Sequence, residues 1–204
     1  MIAMKTILMN ALFVAALFLQ AGWHTLLAGN IAGKVNAKGV KNSGDAVIYI
    51  DKISSKTFPA PENHAVMNQK NLMFVPHVLP ILVGTTVDFL NSDNVLHNVF
   101  SPDVCAEKFN LGSWPKGKTK SYTFKTPGCV STLLCNVHPE MEGYVVVVET
   151  PYFAVSEADG TYLIKNVPPG KYTLKIWHEK LKGQDVSVDV PADGNATVNF
   201  DLHR

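Results

Sequence analysis

The stretch Cys135-Asn-Val-His138-Pro-Glu-Met141 places a thiol, an imidazole and a thioether within seven positions. A second imidazole stands upstream, in Asn91-Ser-Asp-Asn-Val-Leu-His97-Asn98-Val-Phe. One thiolate and two imidazoles suit copper in both oxidation states, and a weak thioether imposes little preference for a square Cu(II) geometry. Such a set rearranges little on reduction, which favours fast electron transfer. Zinc is the rival ion, but its structural sites favour closed Cys and His sets and seldom take Met. Taken singly, Cys135 and Met141 read as core fillers and His97 and His138 as loop histidines. Their conjunction marks His97, Cys135, His138 and Met141 as ligands of a single metal ion.

The elements that must hold these residues read as strands. Apolar or alternating runs cover 31–35, 46–50, 72–75, 79–83, 86–90, 95–100, 120–124, 130–134 and 143–148, and continue through 161–164, 172–178, 185–190 and 197–202. Gly and Pro punctuate them, and no run after the N-terminal segment carries the period of an amphipathic helix. Many short strands without alternating helices imply an all-β fold of antiparallel sandwiches or barrels. Breaks at 54–64 and at Thr150-Pro151 set off a middle stretch that carries all four candidate ligands.

The 204 residues suffice for one large domain or two small ones, and a net charge of +1 without long charge blocks argues against a nucleic-acid partner. Met1 to Lys5, an apolar run from Ile7 to Leu19 and small residues up to Ala28 have the order of an export signal, so residues 1–28 are expected to be cleaved off. Stable membrane insertion after cleavage is not expected. Of the three cysteines, Cys105, Cys129 and Cys135, an oxidising compartment leaves at least one without an internal partner. A Cys105–Cys129 disulfide and two spare thiols both remain open.

The upstream histidine followed by a Cys, His and Met loop resembles the cupredoxin family, and the short spacing around Cys135, His138, Pro139 and Met141 is similar to that of the amicyanins. The resemblance runs over about Val66 to Glu149. It implies a Greek-key β-sandwich at 66–149, one type 1 copper ion, a periplasmic location, and electron carriage between a protein donor and a protein acceptor, without catalysis. It also implies that Asn98 ties the two ligand loops together and that the imidazole edge of His138, ringed by Pro139 and apolar neighbours, is the electron exit. Glu140, Glu142 and the segment from Phe109 to Pro115 depart from the family pattern. His77 falls toward the far end of its strand and reads as a structural or surface residue.

The tail from Ala158 to Trp177, with its Asp-Gly and Pro-Pro-Gly turns, resembles the carboxypeptidase regulatory-like domain, a small transthyretin-like β-sandwich. Ile31 to Gly39 and Ala46 to Ile50 supply the opening strands of that pattern. The expected organisation is therefore a sandwich split into 30–63 and 150–204, with the copper module inserted. The alternative is that the opening strands extend the copper module and the tail stands apart. Trp177 is expected to pack between modules. No Ser-His-Asp array, HExxH motif or phosphate loop points to an enzyme. Copper storage or delivery, and a role as an envelope interaction module, are the competing functions.

Overall fold

The computed structural model describes residues 28–103 and 108–204, so Cys105 and all but the last residue of the expected signal lie outside the described residues. Every regular element described is a strand, as the all-β reading requires. No described helix is long and apolar enough to cross a membrane.

The chain opens with β1 (Gly29–Ala37) and β2 (Val47–Ile50). A long excursion then forms β3 (Ala65–Lys70), β4 (Met73–Val75), β5 (Val78–Leu82), β6 (Thr86–Asn91), β7 (His97–Ser101), β8 (Phe109–Trp114), β9 (Thr119–Thr123), β10 (Val130–Leu134) and β11 (Glu142–Val148). The chain ends in β12 (Phe153–Val155), β13 (Thr161–Val167), β14 (Gly170–Trp177), β15 (Val186–Val190), β16 (Asn195–Thr197) and β17 (Phe200–Leu202).

Four sheets result. The excursion makes two, ordered β4-β3-β6-β9 and β5-β11-β10-β7-β8, while β1 and β2 join the C-terminal strands in β13-β1-β16, with β17 also on β1, and in β12-β2-β14-β15. At the crossing point the Thr150 hydroxyl donates to the Ile50 carbonyl at 2.8 Å and the Ile50 amide donates to the Tyr152 carbonyl at 3.0 Å. The chain thus leaves and re-enters the C-terminal sandwich at adjacent points.

Three apolar cores alternate with the sheets. Met67, Phe89, Val99, Leu133 and Val145 fill the space between the two excursion sheets. Ile31, Ile48, Ile164, Leu174 and Phe200 fill the second sandwich. Between the sandwiches lies a third core of Val47, Val78, Val146 and Val148, against which Tyr144, Phe153 and Trp177 pack. The alternation of side chains along a strand explains the sharing: Val145 and Val147 of β11 face inward while Val146 and Val148 face the other sandwich. A strand buried on both faces must be apolar throughout, hence the unbroken valines of β11. Each buried valine contributes about 1.5–3 kcal/mol relative to exposure, an upper bound because unfolded chains already bury some surface.

Three strands, β3, β8 and β12, were not foreseen in the sequence, and the single run expected over 197–202 is two strands, β16 and β17. β3 mixes Asn68 and Gln69 into its pattern, β12 has only three residues, and β8, in the segment expected to depart from the family pattern, contains Gly112 at φ +69° yet pairs antiparallel with β7.

Candidate metal centre

His97 is the first residue of β7 and is fully buried, paired across the ladder with Trp114 of β8. Cys135 follows the last residue of β10, Leu134, which pairs with Phe100 of β7. The β7–β10 ladder therefore brings the two donors together, with Cys135 Sγ 3.9 Å from His97 Nδ1. His138, in the loop between β10 and β11, points Nδ1 to within 3.1 Å of His97 Nδ1, and the rings lie 4.8 Å apart at 64°. Among the described residues, His97, Cys135 and His138 are the one group of three such donors that could hold an ion, all within 4.8 Å of one another. Met141 is 1 % exposed in the same core as Cys135, and its amide donates to the His138 carbonyl at 3.0 Å, closing the ligand loop into a turn.

Asp93 orients the buried imidazole. Its Oδ2 lies 2.9 Å from His97 Nε2, and an acceptor there places the proton on Nε2 and leaves the Nδ1 lone pair facing Cys135 and His138. The same carboxylate accepts the amides of Asn71 at 2.8 Å and Leu72 at 3.0 Å. Partial burial pushes the Asp93 pKa up, but the Leu72 amide, then His97 and the Asn71 amide, more than offset this and hold it at about 2.

Asn71 and Leu72 form the two-residue turn between β3 and β4, with φ of 55° and 58°. A type I′ turn demands left-handed backbone at both positions, and a leucine there is strained by roughly 1–2 kcal/mol. Leu72 is 40 % exposed, so its side chain has little burial to lose. Leu72→Gly is expected to stabilise the metal-free protein by about 1 kcal/mol in urea denaturation. A destabilised variant would show that side-chain packing outweighs the strain.

Asn98 joins the segments that carry His97 and Cys135. Its Oδ1 accepts the Asn136 amide at 2.6 Å, Nδ2 donates to Asn110 Oδ1 at 3.0 Å, and its carbonyl accepts from Gln69 Nε2 at 3.1 Å. Asn91 Nδ2 donates to the carbonyls of Val95 and Trp114 at 2.8 and 2.9 Å, bracing the turn before His97. Asp93, Gln69 and Trp114 were not identified from sequence as parts of the site. An acid four residues before a candidate ligand histidine was a signal available for Asp93, whereas Gln69 offered none.

His138 is half-buried and its chain neighbours Val137 (45 %), Pro139 and Glu140 are exposed, as are Val95 (44 %) and Leu96 (52 %) just before His97. His77 is not one of the grouped donors, and its Nε2 lies 3.3 Å from Glu179 Oε2. The exposed His64 pairs with Asp88 at 2.9 Å. Cys129 is buried and disulfide-bonded, and Cys135 is free.

The donors present fit a copper ion. Ligands about 2.0–2.3 Å from a common ion lie within roughly 4.6 Å of each other; the separations of 3.1 and 3.9 Å meet that limit, and all three atoms lie within 4.8 Å of one another. Thiolate and imidazole are also the donor types that copper favours.

Residues 140–203 match the model of the carboxypeptidase regulatory-like domain, a span that takes in Met141 and β11 through β17. The solved structures similar to this chain include cupredoxins. A purple cupredoxin from Nitrosopumilus maritimus is 31 % identical over 41 % of this chain and 98 % of its own, with a TM-score of 0.36. A reduced amicyanin mutant is 26 % identical over 49 % of this chain and 97 % of its own, with a TM-score of 0.39. A copper-containing nitrite reductase from Thermus scotoductus is 28 % identical over 50 % of this chain, with a TM-score of 0.41, and the match spans 25 % of that enzyme. No curated protein sequence matches the chain.

Proposed function

We propose that this chain is a periplasmic mononuclear type 1 copper protein that carries electrons between a donor and an acceptor protein and catalyses no reaction itself. The observation that carries the reading is the convergence of the buried His97 Nδ1 and Cys135 Sγ with the half-buried His138 Nδ1 at the edge of a β-sandwich. His97, Cys135 and His138 would hold the ion, and Met141, buried in the same core, would add a weak thioether ligand. Copper bound there supplies a one-electron Cu(I)/Cu(II) couple.

The residues around the site have separable tasks. Asp93 keeps the His97 proton on Nε2, Asn98 braces the Cys135 loop, and Cys135 releases its proton on ligation. Val95, Leu96 and Val137 exclude water around the accessible side of His138, where a redox partner would dock. We read residues 66–149 as a copper module inserted in a sandwich formed by 30–63 and 150–204, supported by the hydrogen bonds that join Ile50 to Thr150 and Tyr152. Export rests on the N-terminal signal pattern in the sequence.

Titration of the metal-free mature protein with Cu(II) is expected to give an intense thiolate-to-copper charge-transfer band that saturates at one equivalent, bleaches on reduction and returns on oxidation. Saturation without colour in folded protein would sink the reading. A coloured site that gives up Cu(I) readily to a weak chelator would favour copper delivery.

A further inference from the structure

We infer that the C-terminal sandwich positions Met141, through a lock made by Trp177 and Glu179 on Tyr144 and His77. The inference rests on the copper reading above and adds a positioning role for residues remote from the donor cluster.

The lock acts on the first residues of β11, which begins directly after Met141. Alternation sends Gly143 toward the excursion core and Tyr144 toward the other sandwich. On the inner side the strand presses on Phe74 so closely that a Cβ at Gly143 would lie 2.8 Å from Phe74 Cβ. On the outer side the Tyr144 ring packs against Trp177 at 5.2 Å and edge-on against His77 at 5.5 Å. The Tyr144 amide donates to the His77 carbonyl at 2.8 Å, and His77 Nε2 reaches Glu179 Oε2 at 3.3 Å. Glu142 and Glu179 also act on the Tyr144 hydroxyl, which burial and these two carboxylates hold well above its ordinary pKa.

The start of β11 is thus held on both faces, with the outer hold supplied by residues some 30 positions later in the chain. Met141 and Glu179 line the same cleft of about 320 Å³, together with Met73, His77, Glu142 and Lys180. Tyr144 lies about 10 Å along the strand from Met141 at 3.4 Å per residue. Backbone at the start of a strand fixed this firmly gives the preceding residue little room to shift, and an axial thioether is the ligand whose approach tunes a type 1 site.

The test uses the full mature chain. Trp177→Leu removes the ring contact, Glu179→Gln weakens the hold on His77 and Tyr144, and Trp177→Phe restores an aromatic face. Tyr162→Phe serves as control, since it removes a 2.8 Å hydrogen bond to the Val198 carbonyl within the same sandwich but far from the lock. Trp177→Leu and Glu179→Gln are expected to change the intensity ratio of the charge-transfer bands and to weaken Cu(I) binding about 10-fold in chelator competition. The control is expected to match the parent, and Trp177→Phe to recover most of the parental spectrum. A coloured parent whose lock variants keep its spectrum, with affinity within about twofold, would overturn the lock alone, as would a control that moves both readouts as far. A parent without the band would overturn the copper reading and the lock with it.

Discussion

Replacing Cys135 by serine is expected to abolish the charge-transfer colour and to weaken copper binding by more than the 10–100-fold typical of an outer-sphere change (roughly 100-fold or more). The substitution separates ligation from packing because serine nearly matches cysteine in size. Cys135 is 2 % exposed and belongs to the core between the excursion sheets, so a larger or charged residue would confound the two effects. A buried hydroxyl needs a partner, and the ring nitrogens of His97 and His138 provide acceptors near that position. The metal-free variant is therefore expected to unfold within about 1–2 kcal/mol of the metal-free parent. Hydroxyl oxygen is a poor match for Cu(I) and cannot supply the thiolate-to-copper transition. Absorption spectra and chelator competition test the ligand role, and urea denaturation of the metal-free forms tests the fold. A serine variant that remained intensely coloured would remove Cys135 from the ligand set.

The candidate donors could be picked out because local spacing carries them. Cys135, His138 and Met141 lie in one short loop, and His97 stands at the start of a short strand. The bracing was less visible because it is made by strand register. Asn71 and Leu72 reach Asp93 because β3 runs parallel to β6, with Gln69 opposite Asn91. That register depends on β3, whose Asn68 and Gln69 blur the apolar alternation, and on a turn whose leucine lacks the usual left-handed residue type.

Burial on two faces was likewise hidden. The run from Tyr144 to Val148 announces a buried strand, but composition cannot say that alternate residues serve different cores. The match to the regulatory-like family begins at residue 140, inside the ligand loop, so that likeness includes the strand shared between the two sandwiches. The position of Trp177 against Tyr144 follows from the same sharing. A side chain expected to pack between modules therefore lies near the strand that follows Met141.

Asp93→Asn is expected to weaken copper binding about 10–100-fold and to flatten the acid limb of the metal-free protein's stability profile. The Asp93 carboxyl is held at about 2 in the folded protein, below its ordinary value, so its contribution is present above the unfolded-state pKa and is lost as pH falls through the folded one. The affected window runs from roughly pH 4 to pH 2. Asp93 is 15 % exposed on its side chain, so solvent screening reduces its worth to roughly 1–2 kcal/mol. The amide keeps one oxygen to accept a main-chain proton, but its NH2 group cannot accept one and carries no charge to hold His97. Urea denaturation of parent and variant at neutral pH and near pH 3 gives the difference attributable to this residue, while other carboxylates contribute to both curves. The two stabilities are expected to converge as the solution is acidified. Parallel curves with unchanged copper affinity would show that the 2.9 Å contact with His97 contributes neither to folding nor to ligation.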